Sequence, residues 1–482
     1  VVRLAPLAIG LAALIAVAVV RGLVLWGPAP SGIDGGNWLA FGTFSRPGLA
    51  YPPLVPVLFA TLSELVGPLA ATAVAGGVAS GVPALAVLGV AAWAGRAELG
   101  AIAALLVASS VSVGEAIAWG GYPQPLATGF AVVALVALAS WLGGGGRLAL
   151  AVFGAAFALV LATSHLVVVP TALAGAIMAV HAVWKDSRWR RRGLGAALAA
   201  APAAVLLAPT YLSLLGTLDV GPAGEVDLAR ILGPAWLAYV ALLVAVPAAV
   251  VLPALRPATV TGESGLQAGS IRAAAAAACG AWGVLILVTR EPRLVHDVAT
   301  LVPFAIVALA PALRLPTAGR TASSVIVAAV IAGAVMAGAG LAAFPGQVAH
   351  YRVLTPGDVA VLDWLDRQAI GSNRLLVADR RGVPLGWWAE GWTGEQALFA
   401  SDLRWLRFAA ERNRARLANE LLYDAKFPAG ASSARLAEAG IRFVYVPSGS
   451  AFGIDPASPP TGWEVAFSAA DAVVLRPLEV LR

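Results

Sequence analysis

Apolar runs of 17 or more residues follow one another along most of this chain and constrain its fold more than any other feature. A helix needs about 20 mainly apolar residues to cross the hydrocarbon core of a bilayer. Only 12% of the residues are charged, against roughly 25% in a soluble domain. The chain therefore reads as an α-helical polytopic membrane protein. Eleven transmembrane helices are expected: Leu4–Trp26, Pro68–Ala94, Leu99–Trp119, Pro123–Leu142, Leu148–Ser164, Leu166–Trp184, Leu194–Leu215, Ile231–Leu255, Ala273–Thr289, Val298–Leu315 and Ser323–Phe344. The first run is longer than a signal-peptide core and lacks a small-residue cleavage site, so it reads as an uncleaved span.

Leu54–Val66 is short for a span, at about 13 residues, and its status decides the sidedness of everything after it. The positive-inside rule arbitrates. With eleven spans and a cytoplasmic N-terminus, inner loops hold twelve Lys and Arg; outer loops hold five: Arg21, Arg46, Arg230, Arg290 and Arg293. Counting Leu54–Val66 as a span would put "KDSRWRRR" on the side of Asp34. The segment therefore reads as an interfacial or re-entrant helix in an outer loop, residues 27–67. Acidic residues set topology weakly, yet eight of the eleven before residue 345 fall on the outer side. Longer outer loops would give the same bias as a functional face.

Residues 1–344 thus form a membrane domain. From Pro345 the composition changes: residues 345–482 carry 15 basic and 15 acidic side chains, about half the charge of the chain. "PGDVAVLDWLDRQA" has helical period. "RLLVA", "IRFVYVP", "WEVAF" and "AVVLRP" read as strands between turn residues. "DLRWLRFAAERNRARLANELLYD" reads as a charged helix. This is a small soluble α/β domain, placed outside by the span count.

No phosphate loop, dinucleotide fingerprint, zinc spacing or nucleophile elbow occurs. The single cysteine, Cys279, excludes an intrachain disulfide. The net charge of +6 is read as topology rather than nucleic-acid binding. Asp34, in "GIDGGNW", is the acid that stands out. Glycines allow close backbone approach, and a carboxylate at an apolar surface can have a raised pKa and accept a hydroxyl proton. A plain turn aspartate has the same spacing. Glu115 lies near the outer end of a span, where a carboxylate is costly. "WGGYPQP" adds Trp119 and Tyr122, which serve equally as interface anchors or as sugar-stacking surfaces. Arg290 and Arg293, in "REPRLVHD", offer a fork for a phosphate or form an ordinary charged loop. Glu225, Asp227 and Arg230 sit in another outer loop. His165 reads as structural.

The order of these features resembles the GT-C superfamily of membrane glycosyltransferases. It comprises an acidic first outer loop followed by "YPPL", an acid near the end of the third span, "GYPQPLATGFAVVALVAL", a late Arg-led "LVPFAIVALAP" and an outer α/β tail with "GWWAEGW". The resemblance implies sugar transfer from a polyprenyl-phosphate or polyprenyl-diphosphate donor to an envelope glycan, lipid or protein acceptor. The site is implied to lie on the outer face of the cytoplasmic membrane; the Ala-, Gly-, Val- and Arg-rich composition suggests a GC-rich bacterial genome. Asp34 takes the role of base, and Arg290 and Arg293 hold the donor phosphate. Trp119, Tyr122, Trp387 and Trp388 are candidate acceptor contacts, the last two alternatively core or a docking surface against the membrane domain. In one branch a second acidic motif helps hold a divalent metal, Mg or Mn. Glu115 is in the corresponding place, but Ile117 stands where its partner would be, which leaves metal dependence open. Another branch pairs the first-loop acid with a neighbour, and here that neighbour is Gly35. A transporter or lipid flippase, and a non-catalytic relative that scaffolds envelope assembly, remain alternatives.

Overall fold

The computed structural model describes residues 4–43, 49–183, 189–217, 263–309, 320–380, 382–424 and 426–478, with isolated residues 231, 237, 240 and 241. Among the described residues, twelve helices precede the tail: α1 (Leu4–Leu25), α2 (Gly35–Thr43), α3 (Leu54–Trp93), α4 (Ala97–Ser109), α5 (Val111–Ala118), α6 (Pro123–Leu142), α7 (Arg147–Thr163), α8 (His165–Val183), α9 (Trp189–Thr217), α10 (Glu263–Thr289), α11 (Pro292–Leu309) and α12 (Arg320–Tyr351). Among the described residues, six helices are long and apolar enough to cross a membrane, and α4 with α5 make a seventh, bent by 42°. α7 and α8 are apolar and shorter. The span expected at Ile231–Leu255 lies almost wholly outside the described residues. Exposed leucines run along α9 (Leu194, Leu198, Leu206, Leu212 and Leu215); such a stripe suits lipid contact and would be anomalous in water. The chain is a polytopic membrane protein with a small C-terminal sheet.

Three breaks in the helices have local causes. At Gly67 (φ 82°, ψ 155°) α3 is interrupted. Pro68 excludes the helical conformation from the residue before it, and glycine accepts the positive φ. Leu54–Val66 is therefore a separate helical arm, with Val57, Leu58, Leu65 and Val66 exposed. At Ser110 the backbone turns extended (ψ 146°), and its hydroxyl caps α5 by accepting from the Val113 N–H at 3.1 Å. The carbonyl of Ser110 accepts from Arg21 Nη2 at 2.7 Å. Arg21, expected in an outer loop, instead lies within α1 and is fully buried, with its guanidinium over Phe344. The third break is "GG" at 120–121, between α5 and α6, where Gly120 has φ 94°.

α12 runs through Pro345 to Tyr351, so the change of composition at 345 falls inside a helix. The tail elements then follow: α13 (Pro356–Asp366), β1 (Leu375–Val377), α14 (Gly386–Thr393), β2 (Leu398–Phe399), α15 (Ala409–Asn419), α16 (Gly430–Glu438), β3 (Phe443–Val446), β4 (Trp463–Ala469) and β5 (Ala472–Pro477). The sheet order is β2-β1-β3-β5-β4, parallel from β2 to β3 and antiparallel beyond. A capping box between Thr355 and Asp358 starts α13. Asp358 also accepts from the Tyr445 hydroxyl at 2.8 Å, which ties that helix to β3. The expected long charged helix is instead a 3₁₀ turn (Leu403–Trp405), then α15, then a π turn over Glu420–Asp424.

Candidate active site

The Asp34 loop is held from below by the break before α6. The Asp34 N–H donates to the Trp119 carbonyl at 2.9 Å, and Trp38 Nε1 donates to the Gly120 carbonyl at 2.5 Å. Gly32 (φ 90°) lies so close that a Cβ there would stand 2.9 Å from the Gly120 nitrogen. Asp34 then starts α2, its carbonyl accepting from the Trp38 N–H. The "GG" of "WGGYPQP" is thus a backbone cradle.

From above, the tail holds the same loop. A Cβ on Gly35 would stand 2.6 Å from the Trp388 ring, and one on Gly36 would collide with the Trp388 backbone. Trp388 Nε1 donates to the Gly32 carbonyl at 3.1 Å. Trp387 and Trp388 are both buried, so in this structure they form a docking surface rather than an open sugar platform. The same contact leaves no room for a second acid at position 35.

Asp34 is half-buried in an otherwise buried loop. Burial pushes its carboxyl up to about 7, against the pull of the Arg293 guanidinium and with the help of the Glu411 charge. Arg293 stands in the first turn of α11 and forks onto Glu291, with Nε to Oε1 at 2.7 Å and Nη2 to Oε2 at 3.0 Å. Burial disfavours the Glu291 charge, but the Arg293 bonds outweigh it and hold this carboxyl low. Tyr51 lies 4.7 Å from the Trp38 ring and 5.3 Å from that of His165; burial raises its hydroxyl pKa. Burial, then the charge of Arg293, lowers the Arg407 pKa, which brings a second cation from the tail to the site.

The position of α11 is set by a buried carboxylate. Asp297 accepts from Thr128 Oγ1 at 2.7 Å and Gln124 Nε2 at 3.2 Å through one oxygen, and from Trp282 Nε1 at 2.7 Å through the other. Gln124 also donates to the Arg293 carbonyl. His296 Nδ1 lies 3.0 Å from the Ser112 hydroxyl. α6, α10 and α5 therefore all fix the helix that carries Arg293.

The other candidates fall elsewhere. Arg290 is exposed, at φ 51°. Glu115 is buried, and its Oε1 accepts from Tyr351 at 2.9 Å. Trp119 contributes its backbone to Asp34, while its ring lies edge-on to His296 at 4.7 Å. Tyr122 is fully buried beside Phe59. Glu225, Asp227 and Arg230 lie outside the described residues. No group of three or more His, Cys, Asp or Glu side chains that could hold a metal ion occurs among the described residues. Among the described residues the donor set does not fit a divalent metal. Tyr51, Glu291, Asp297, Arg407 and Glu411 were not singled out from the sequence. Only Asp297, a carboxylate at the edge of an apolar run, carried a usable signal.

No protein-family model matches the sequence, and no curated protein matches it. Solved structures do. ArnT from Cupriavidus metallidurans bound to undecaprenyl phosphate is 13% identical, with a TM-score of 0.52 over 99% of this chain and 98% of that one. Its apo state gives 14% and 0.52. The arabinofuranosyltransferase AftD from Mycobacteria is 15% identical, with a TM-score of 0.53 over 96% of this chain. The chain spans only 40% of the length of AftD. The fold is thus shared with ArnT and AftD.

Proposed function

We propose that this protein transfers a sugar from a polyprenyl-phosphate or polyprenyl-diphosphate donor to an envelope acceptor, with Asp34 as the base. The observation that carries the reading is the Asp34 loop itself, cradled by the Trp119 and Gly120 carbonyls and roofed by Trp388, with the Arg293 charge acting on a carboxyl that burial pushes up to about 7. A base is most useful when its pKa lies near the working pH. In the proposed step Asp34 takes the acceptor hydroxyl proton as that oxygen bonds to the anomeric carbon. The bond from that carbon to the donor phosphate oxygen breaks, and the phosphate leaves with both electrons. Arg293 stabilises the charge that develops on it. Arg290, exposed beyond the start of α11, is left as an outer contact for the phosphate. Undecaprenyl phosphate bound to ArnT supports a donor of this class for a chain of the same fold.

The site is proposed to lie on the outer side of the bacterial cytoplasmic membrane, roofed by the tail. The acceptor is proposed to approach along the aromatic rim of Phe41 and Tyr51.

Membranes containing the protein, supplied with a polyprenyl-phosphate sugar and envelope extract, test the proposal. Wild-type protein should yield glycosylated product, and Asp34→Asn should lose at least about 10²-fold in rate while accumulating normally. Full activity of Asp34→Asn would overturn the role of Asp34. A reporter fused after residue 478 tests the sidedness, and a cytoplasmic signal would reverse it.

A further inference from the structure

The tail brings a carboxylate of its own to the Asp34 loop. In α15, "AAERNRARLAN", charged side chains occur at almost every turn, yet Glu411 is turned inward and is 1% exposed. A buried carboxylate requires hydrogen-bond partners, and Glu411 Oε1 accepts from Trp387 Nε1 at 3.0 Å. The next residue, Trp388, is the one seated on Gly35 and Gly36 and bonded to Gly32. Two consecutive tryptophans therefore hold Glu411 on one side and the Asp34 loop on the other. Three residues before Glu411, Phe408 lies edge-on to Phe41 of α2 at 6.1 Å, a second contact between the tail and the segment that Asp34 opens.

Arg293 from α11, Glu411 from α15, Tyr51 from the loop before α3 and Tyr122 at the start of α6 interact electrostatically with Asp34, and Glu291, His165 and Arg407 stand around Arg293. Arg293 favours the ionised form of Asp34, and Glu411 opposes it. A fixed negative charge makes a neighbouring carboxylate a stronger proton acceptor.

We propose that Glu411 is a positioning residue of the Asp34 site: the docked tail fixes a negative charge beside Asp34, so the strength of the base depends on docking. This rests on the reading of Asp34 as the base. It makes the tail a working half of the site.

The test uses the full-length protein in detergent micelles and two readouts. The first is labelling of Asp34 by a water-soluble carbodiimide with an amine, which requires the protonated carboxyl, followed from pH 5 to 9 by mass spectrometry. The second is the pH–rate profile of sugar transfer. Glu411→Gln keeps an oxygen for Trp387 and removes the charge. The labelling midpoint should fall by about half a pH unit or more, ~threefold in proton affinity, and the acid limb of the rate profile should move with it. Glu411→Asp should restore both. A purely structural role lowers the rate at every pH and leaves the midpoint in place; an unmoved midpoint in Glu411→Gln overturns the proposal. If that variant does not accumulate, Trp387→Phe is read in the same way, since it keeps a ring and removes the N–H that holds Glu411. Labelling needs no substrate. A shifted midpoint in a protein without transfer activity sinks the proposed function and leaves the role of Glu411 standing.

Discussion

Trp388 donates its indole N–H to the carbonyl of Gly32 at 3.1 Å, across 356 positions of chain. The bond joins the tail to the first outer loop where that loop turns into α2, and the loop has given up side chains to allow it. Gly35→Ala and Gly36→Ala should therefore undock the tail. Each added Cβ meets Trp388 within contact distance, and such overpacking costs ~1–3 kcal/mol. Limited proteolysis should cut the tail faster in both variants, and transfer should fall. Gly35→Asp, which adds an acid beside Asp34, should reduce activity as well. Unchanged protease resistance in Gly36→Ala would show that the clamp is unimportant.

Asp34 gives a pH dependence with a definite sign. Transfer should rise as pH increases through about 7, as the carboxyl loses its proton. Arg293→Gln removes the charge that favours ionisation, so its midpoint should move to higher pH, and its rate should fall by ~10²–10³-fold. Arg290→Ala should alter the rate far less. Equal losses in the two variants would mean that the register of α11 has been misread. A pH–rate profile of each variant decides it.

The same shift bears on stability. The folded pKa of Asp34 lies above its ordinary value of 3.8, so the folded state binds the proton more tightly than the unfolded chain does. Ionisation then costs stability progressively from about pH 4, and the cost is fully present above about 7. Asp34→Asn should be the more stable protein at pH 8 and should lose that advantage towards pH 4. Thermal melts at the two pH values test this, and an advantage that grew on acidification would contradict it.

Asp297 is expected to matter without touching substrate. It receives three side-chain donors from α6 and α10. Asp297→Asn turns an amide N–H₂ towards one of those donors, and a mismatched buried group costs ~1–3 kcal/mol. Its melting temperature in detergent should fall, with transfer activity falling alongside because Arg293 shares the helix. Asp297→Leu should fare worse.

The membrane helices were legible because hydrocarbon thickness leaves its length on the sequence: Pro123–Leu142 matches α6 residue for residue. The arm before Gly67 was legible because Leu54–Val66 is too short to cross the hydrocarbon core. Asp34 was legible as a candidate, an acid among glycines, although the reason for those glycines was not. Gly35 and Gly36 are explained by a tryptophan more than 350 positions away, and no local pattern carries that. α2 was missed because nine residues, two of them glycines at its start, make a weak helix signal. Arg290 and Arg293 looked equivalent; the first turn of α11 makes one an inward group and leaves the other at the surface. Glu411 was hidden by its neighbours, since in a segment where most turns are charged nothing marks the one carboxylate that faces inward.

The bend at Ser110 has a consequence for the barrier that a bilayer protein must keep. Where a span breaks, freed carbonyls ordinarily draw in water, and a file of water conducts protons. Here the carbonyl at the break is taken by Arg21, a group delivered from α1 and packed against Phe344. The span changes direction by 42° with a protein cation where a hydration site would be. The protein can thus redirect a span inside the bilayer without opening a hydration site at the break.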